Sequence, residues 1–367
     1  MKKIIITFGI LVLVTIGIIF ISGCTQQIEE KEDTEKFGVI SSSETWSGVV
    51  QVTGDILVEN DVTLTILPGT KILISANSDK SNMFGKGTCE EGDIKDFDML
   101  KGINEEWENK CGVHKGEPFR DEGNHISIQI EGKLHAVGTS DEPIIIKSDA
   151  ETPGMYDWNH FIIHNGILSY TQVSNYRVLE MGSNVVIDHN TFSNIGECGL
   201  GIYVDNVSIE YNKIYDAGHE LIDIGLASPT IRYNILGPNP THAGIVINGG
   251  NPIIEHNHFI ETGGMITILG GTENPTIMYN TFEKDGALIL GCATGKIENN
   301  NIYCTILTRD DCPVESLDLS NNYWGTTDKE LLYKRLVEPD DPDLKIGRRI
   351  IYEPYLTEAV EIGLPVP

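Results

Sequence analysis

Asp205, Asp223, His219 and Glu220 are the residues of this 367-residue chain whose types and spacing could do acid–base chemistry. Two carboxylates on either side of a glycosidic bond can divide proton donation from water activation, and about 6.5–9.5 Å between them leaves room for the water of an inverting hydrolase. Asp205 and Asp223 meet that condition only if the chain stacks on itself at about 4.8 Å with an offset of two residues, which separates them by about 8 Å. His219 and Glu220 sit just upstream, in the preceding turn. No arginine or lysine is placed to serve as a lyase base. The bland alternative, that all four are solvated turn residues, is the expectation, so they stand as candidates only. His256-Asn257-His258 invites a metal reading, but strand alternation points the two imidazoles apart and no third ligand lies nearby, so no metal site is expected.

The elements that must position these residues are visible as a repeat. An aliphatic residue, two variable positions, an asparagine, one more variable position and a large apolar residue recur from Ile187 to Trp324. The asparagines are Asn190, Asn212, Asn234, Asn257, Asn280, Asn300 and Asn322, at steps of 22, 22, 23, 23, 20 and 22. Each unit holds a second short strand, as in Gly201-Ile202-Tyr203-Val204 and Gly244-Ile245-Val246-Ile247. Leucine-rich repeats share the period, but these units have no helical half. Two or three short strands per unit predict one coil of a β-solenoid, with coils in parallel register.

In that phasing Ile202, Ile222, Ile245, Ile266 and Leu288 line the interior, and Tyr203, Asp223, Val246, Thr267 and Ile289 form a mostly uncharged outward stripe. The asparagine column is structural: the residue tolerates the left-handed backbone of a sharp turn, and its stacked amide satisfies buried backbone groups. His189, Tyr211, Tyr233, His256 and Tyr279 share the preceding repeat position and predict a stacked aromatic ladder, with a sugar-binding platform as the other reading.

Composition bounds the partners. Lys and Arg number 26 against 54 Asp and Glu, a formal charge of −28, which argues against nucleic acid as a partner. The 38 glycines and abundant asparagine suit a turn-rich β protein. The acidity is read as solubility, with calcium binding as the alternative. No EF-hand spacing or glycine-aspartate nonapeptide supports calcium, so no cofactor is expected.

The N-terminus carries Lys2 and Lys3, an apolar run from Ile4 to Ile21, then Ser22, Gly23 and Cys24. This is the pattern of a secretory leader. Ile21-Ser22-Gly23-Cys24 resembles the lipobox of prokaryotic lipoproteins, which implies lipidation of Cys24 and a membrane-anchored, extracytoplasmic domain. An uncleaved anchor is the alternative, since about 18 apolar residues can just span a bilayer. Losing the leader with its two lysines takes the charge from −28 to −30.

Three further stretches carry a resemblance. They are Gly54-Asp55-Ile56 through Val62 to Thr70, Ile130 to Thr139 with Pro143-Ile144-Ile145-Ile146, and Asn321-Asn322-Tyr323-Trp324-Gly325-Thr326-Thr327-Asp328. With the repeats they make the chain resemble the right-handed parallel β-helices of the pectin-lyase-like superfamily, particularly cell-surface members. The resemblance implies an all-β right-handed parallel β-helix of ~22-residue coils. The expected organisation is a leader over 1–24, a polar tether over 25–44, the β-helix over 45–327 with an insertion at 77–124, and a short C-terminal helical cap over 328–367. In the cap, Leu331, Leu332 and Leu336 are expected on one side of a helix. The aspartate-pair and histidine-glycine motifs of polygalacturonases are missing.

Assigning Cys24 to lipid leaves six cysteines, an even number suited to an oxidising exterior. Cys89 with Cys111, and Cys304 with Cys312, are the expected disulfides, because each pair sits in or beside one irregular loop. Cys198 and Cys292 lie four coils apart and are expected to stay reduced. The resulting reading is a β-helix that binds or displays polysaccharide or an envelope protein without catalysis. A carbohydrate-active enzyme using Asp205 and Asp223 is the alternative, and a metal-enzyme maturation role is a more distant one.

Overall fold

The chain winds into a parallel β-solenoid of about ten coils, as a computed structural model describes it over residues 34–81, 83–84, 124–270, 273–337 and 347–363. One coil runs through Val185–Asp188, Thr191–Ser193 and Leu200–Ile202 before Ser208–Glu210 opens the next. Each strand pairs in parallel with its equivalent one coil on, so Ile187 lies against Ile209, Phe192 against Ile214 and Leu200 against Ile222. Strands this short are unstable alone. Stacking gives every inner strand two hydrogen-bonded neighbours and buries its apolar residues between those of adjacent coils.

The core is a set of columns. Leu200, Ile222, Ile245, Ile266, Leu288 and Ile306 form one, and Ile202, Ile224, Ile247 and Ile268 form the next, all essentially inaccessible to solvent. Ile202 therefore belongs beside Ile224 rather than Ile222. A buried polar column accompanies them. The Oδ1 of Asn212 accepts from the backbone N–H of Asn190 at 2.9 Å, and the same bond repeats from Asn212 through Asn300 to the next asparagine in each case. Each Nδ2 donates to a carbonyl of the preceding coil, as Asn234 does to Ile209 O.

The left-handed turn residue is not the asparagine. It is the residue before it: His189, Tyr211, Tyr233, His256 and Tyr279 have φ of 55°, 57°, 58°, 58° and 57°. The asparagine side chain must aim inward to bond, so its neighbour takes the bend, at a cost of about 1 kcal/mol for a residue with a Cβ. These neighbours stack face to face with centroids 4.8–5.0 Å apart, extended by Tyr170 at 4.5 Å from His189, and stacking offsets the strain.

Part of the expected tether is a strand. Thr34–Ile40 pairs with Val49–Val58, Lys36 bonds Glu44, and Glu35 bonds Thr53 and Lys80. The polar side chains that made this segment read as a tether are attached to the first coils. The leader, Cys24, Cys89, Cys111 and the acidic run 338–343 lie outside the described residues. Among those residues no helix is long and apolar enough to cross a membrane.

At the far end, Asp328 caps the helix Lys329–Leu336 by accepting from the N–H groups of Glu330 and Leu331. Leu332 and Leu336 are buried, but Leu331 is 56% exposed, since only the i, i+4 pair shares the inner face. Arg335 donates to the carbonyls of Trp324, Ile302 and Cys304, and Arg348 to those of Ala293, Val314 and Ser316, so two guanidinium groups satisfy carbonyls that the last coils would otherwise leave bare. The tail then runs backward: Leu356 N–H donates to Asn322 O, Val360 exchanges two bonds with the Asn301 side chain, and Ile362 O meets His256 Nδ1 at 2.8 Å.

The second disulfide differs from expectation. Cys312 is bonded to Cys292, and Cys304 is free and buried in the core. Cys292 and Cys312 are 20 residues apart, one coil, which sets their turns side by side. Cys198 is also free and buried.

Candidate functional site

A cleft of about 510 Å³ opens on the outer face where six successive coils meet one corner. His160 comes from strand Trp158–Ile163, Arg177 and Glu180 from Tyr176–Met181, and Asp223 from Ile222–Ile224. Glu197 and Cys198 occupy the turn before Leu200–Ile202, Tyr203 follows that strand, and His219 and Glu220 occupy the equivalent turn one coil on. Val246, Asn248 and Leu269 close the far side.

The register explains the shape. Glu180 lies opposite Gly201, Gly201 opposite Asp223, and Asp223 opposite Val246. Tyr203 is thus two residues beyond the outward stripe that the repeat suggested. Its ring folds back over Gly201, where an added Cβ would sit 3.0 Å from Cε2, and it crosses Gly225 at 2.6 Å by the same measure. Tyr203 OH donates to Asp223 Oδ2 at 3.0 Å, and Asn248 Nδ2 donates to Oδ1 at 2.8 Å. Tyr203 as a whole is 51% exposed.

The charges are unevenly satisfied. Arg177 and Glu197 form a buried ion pair through Nε and Oε2. Burial, then the charge of Glu197, raises the carboxyl of Glu180, with Arg177 opposing. Burial raises Asp223 as well, Glu220 adding to the effect while the bonds from Tyr203 and Asn248 oppose it. Burial would also raise Glu220, but the hydrogen bond and charge of His219 outweigh it and hold that carboxyl low. Burial first and Arg177 second push His160 down to about 4. Burial and neighbouring carboxylates raise the Cys198 thiol, and burial and Asp223 raise the Tyr203 phenol.

Three of the four candidates from the sequence, Asp223, His219 and Glu220, meet in this cleft. Asp205 does not line it; its Oδ1 accepts from Ser228 N–H at 2.9 Å and braces a turn. The pairing of Asp205 with Asp223 across a substrate is therefore not what the fold builds. His160, Arg177 and Glu180 went unnoticed because the asparagine signal starts only at Asn190, whereas Glu197 lies inside the marked coils. Counting 22 back from His219 and Glu220 reaches Glu197 and Cys198, a spacing that would have found them. His256 and His258 point apart, the first into the aromatic stack and the second to Glu283 Oε1 at 2.7 Å.

The fold and the stacked, outward-facing cleft define a parallel β-helix protein. Residues 154–282 match the family described as right handed beta helix region, a stretch that includes the whole cleft wall from His160 to Leu269. No curated protein and no solved structure matches the chain.

Proposed function

We propose that this β-helix holds a polysaccharide or related envelope component in the Tyr203–Asp223 cleft, outside the cytoplasm and attached to the membrane through its N-terminal segment. The observation that carries the reading is the half-exposed face of Tyr203 beside two carboxyl groups, Glu180 and Asp223, that keep their protons more firmly than usual. A sugar offers an apolar C–H face to an aromatic ring and hydroxyls to flanking polar groups, and a cavity of this size suits a ligand of a few rings. The leader-like N-terminus and Cys24 support the location.

A catalytic version rests on one feature: carboxyls with raised pKa are suited to giving up a proton in a water-poor cleft. The experiment is a panel of acidic and neutral polysaccharides presented to the purified full-length protein. Retarded migration in a polysaccharide gel, lost in Tyr203→Ala and without product, supports binding. New reducing ends or unsaturated products, abolished by Asp223→Asn, replace binding with catalysis. No retardation and no product across the panel removes the saccharide reading.

A further inference from the structure

The corner of the cleft holds a group that saccharide binding does not use. Cys198 Sγ lies 3.3 Å from His219 Nδ1 and 3.5 Å from Glu220 Oε2, and Glu220 Oε2 also touches His219 Nδ1. All three donor atoms lie within 4.8 Å of one another. Coil stacking causes this convergence. Leu200 is in register with Ile222, so Cys198 and Glu220 hold equivalent places in successive turns, with His219 beside Glu220. The next coil adds His242, whose ring centroid is 5.1 Å from that of His219.

The donor types, and the two distances from sulfur, are those of a coordination site, while the His219–Glu220 edge must open to admit an ion. A tetrahedral dication with bonds of about 2.3 Å to sulfur and about 2.0–2.1 Å to nitrogen or oxygen places sulfur about 3.5 Å from each of the others. The two distances from Cys198 already fall there. A thiol and an imidazole with one carboxylate select a zinc-like cation over calcium or magnesium, which take oxygen donors. We propose that Cys198, His219 and Glu220 bind one divalent cation of the zinc class, with His242 or water in the fourth position.

Binding forms metal–sulfur, metal–nitrogen and metal–oxygen bonds, releases to solvent the thiol proton and the proton that His219 Nδ1 holds toward Glu220, and replaces the direct His219–Glu220 contact. The cation ties two successive coils together at the mouth of the cleft. This inference stands apart from the saccharide reading, since the ion alone is the ligand.

The test is a cobalt(II) titration of the full-length, chelator-stripped protein in a thiol-free reductant mild enough to leave Cys292–Cys312 intact. The expected result is one equivalent bound per chain, with a thiolate-to-cobalt charge-transfer band that zinc bleaches. Cys198→Ser removes the band, His219→Gln weakens binding by about tenfold or more, and Cys304→Ser leaves both unchanged. Circular dichroism checks folding, and Glu220→Gln, weakening binding in the same way, serves if Cys198→Ser fails to fold. Absence of the band, or its survival in Cys198→Ser and loss on replacing Cys24, Cys89 or Cys111, overturns the proposal and leaves the cluster as an ion pair with a buried thiol. A cobalt-positive protein that binds no polysaccharide keeps the metal site and loses only the saccharide reading.

Discussion

The hydroxyl of Tyr203 reaches Asp223 at 3.0 Å although the residue opposite Asp223 in the sheet is Gly201. The ring can lie back across the strand only because Gly201 has no side chain, its virtual Cβ being 3.0 Å from the ring. Gly201→Val therefore displaces Tyr203 and separates it from Asp223. Retention in a polysaccharide gel is expected to fall as far as in Tyr203→Ala, while Tyr203→Phe, which keeps the ring, retains most of it and loses about 1 kcal/mol of stability. Equal retention in native protein and Gly201→Val would dismiss the ring as a contact.

His160 makes stability depend on pH. Its imidazole is held down to about 4 in the fold against 6.5 for the free group, so the unfolded chain binds more protons between those values and stability falls as pH drops from 6.5 toward 4. Burial, then Arg177, sets this direction, and Glu197 opposes it. Glu180 and Asp223 act in the opposite sense: their folded values are raised, so their contribution is present at low pH and lost as pH rises. Urea denaturation of native protein and His160→Gln at pH 4 to 7 separates them. The difference between the two proteins is expected to shrink by about 3 kcal/mol as pH falls from 7 to 4; a constant difference contradicts the assignment.

Asn234 accepts from the backbone and side-chain N–H groups of Asn212 and donates to Ile209 O, Arg232 O and Asn257 Oδ1. Asn234→Ala leaves at least two buried backbone groups unpaired and is expected to cost about 4 kcal/mol. A loss below about 1 kcal/mol in chemical denaturation would mean that the coil relaxes to pair these groups elsewhere.

Cys292→Ser is expected to lower stability by ~3 kcal/mol, the effect of opening a loop of this size. A non-reducing peptide map should recover Cys292 joined to Cys312, with Cys304 and Cys198 alkylated after unfolding. A Cys304–Cys312 peptide in its place would reverse the assignment.

The fold was legible because the asparagine steps mark every coil from Asn190 to Asn322, and a residue that must hydrogen-bond its own copy one coil away cannot drift. The cleft was legible only in part. Asp223, His219 and Glu220 fall inside the marked coils, whereas His160, Arg177 and Glu180 belong to coils without the asparagine. Tyr203 was misplaced because alternation fixes a face but not the phase between coils, and Gly201 leaves no side chain to set it. Cys304 and Cys312 looked like partners by proximity in the chain; neighbourhood in a solenoid is set by the coil length, which favours Cys292.

The tail that binds Asn322, Asn301 and His256 in turn has a mechanical consequence. Rungs that touch only adjacent rungs can fray one at a time, but a strip fastened across several of them makes them open together or not at all. Clipping the chain after Pro354 would thus free a whole block of the solenoid's far end, because this strip acts as the latch on the coils it crosses.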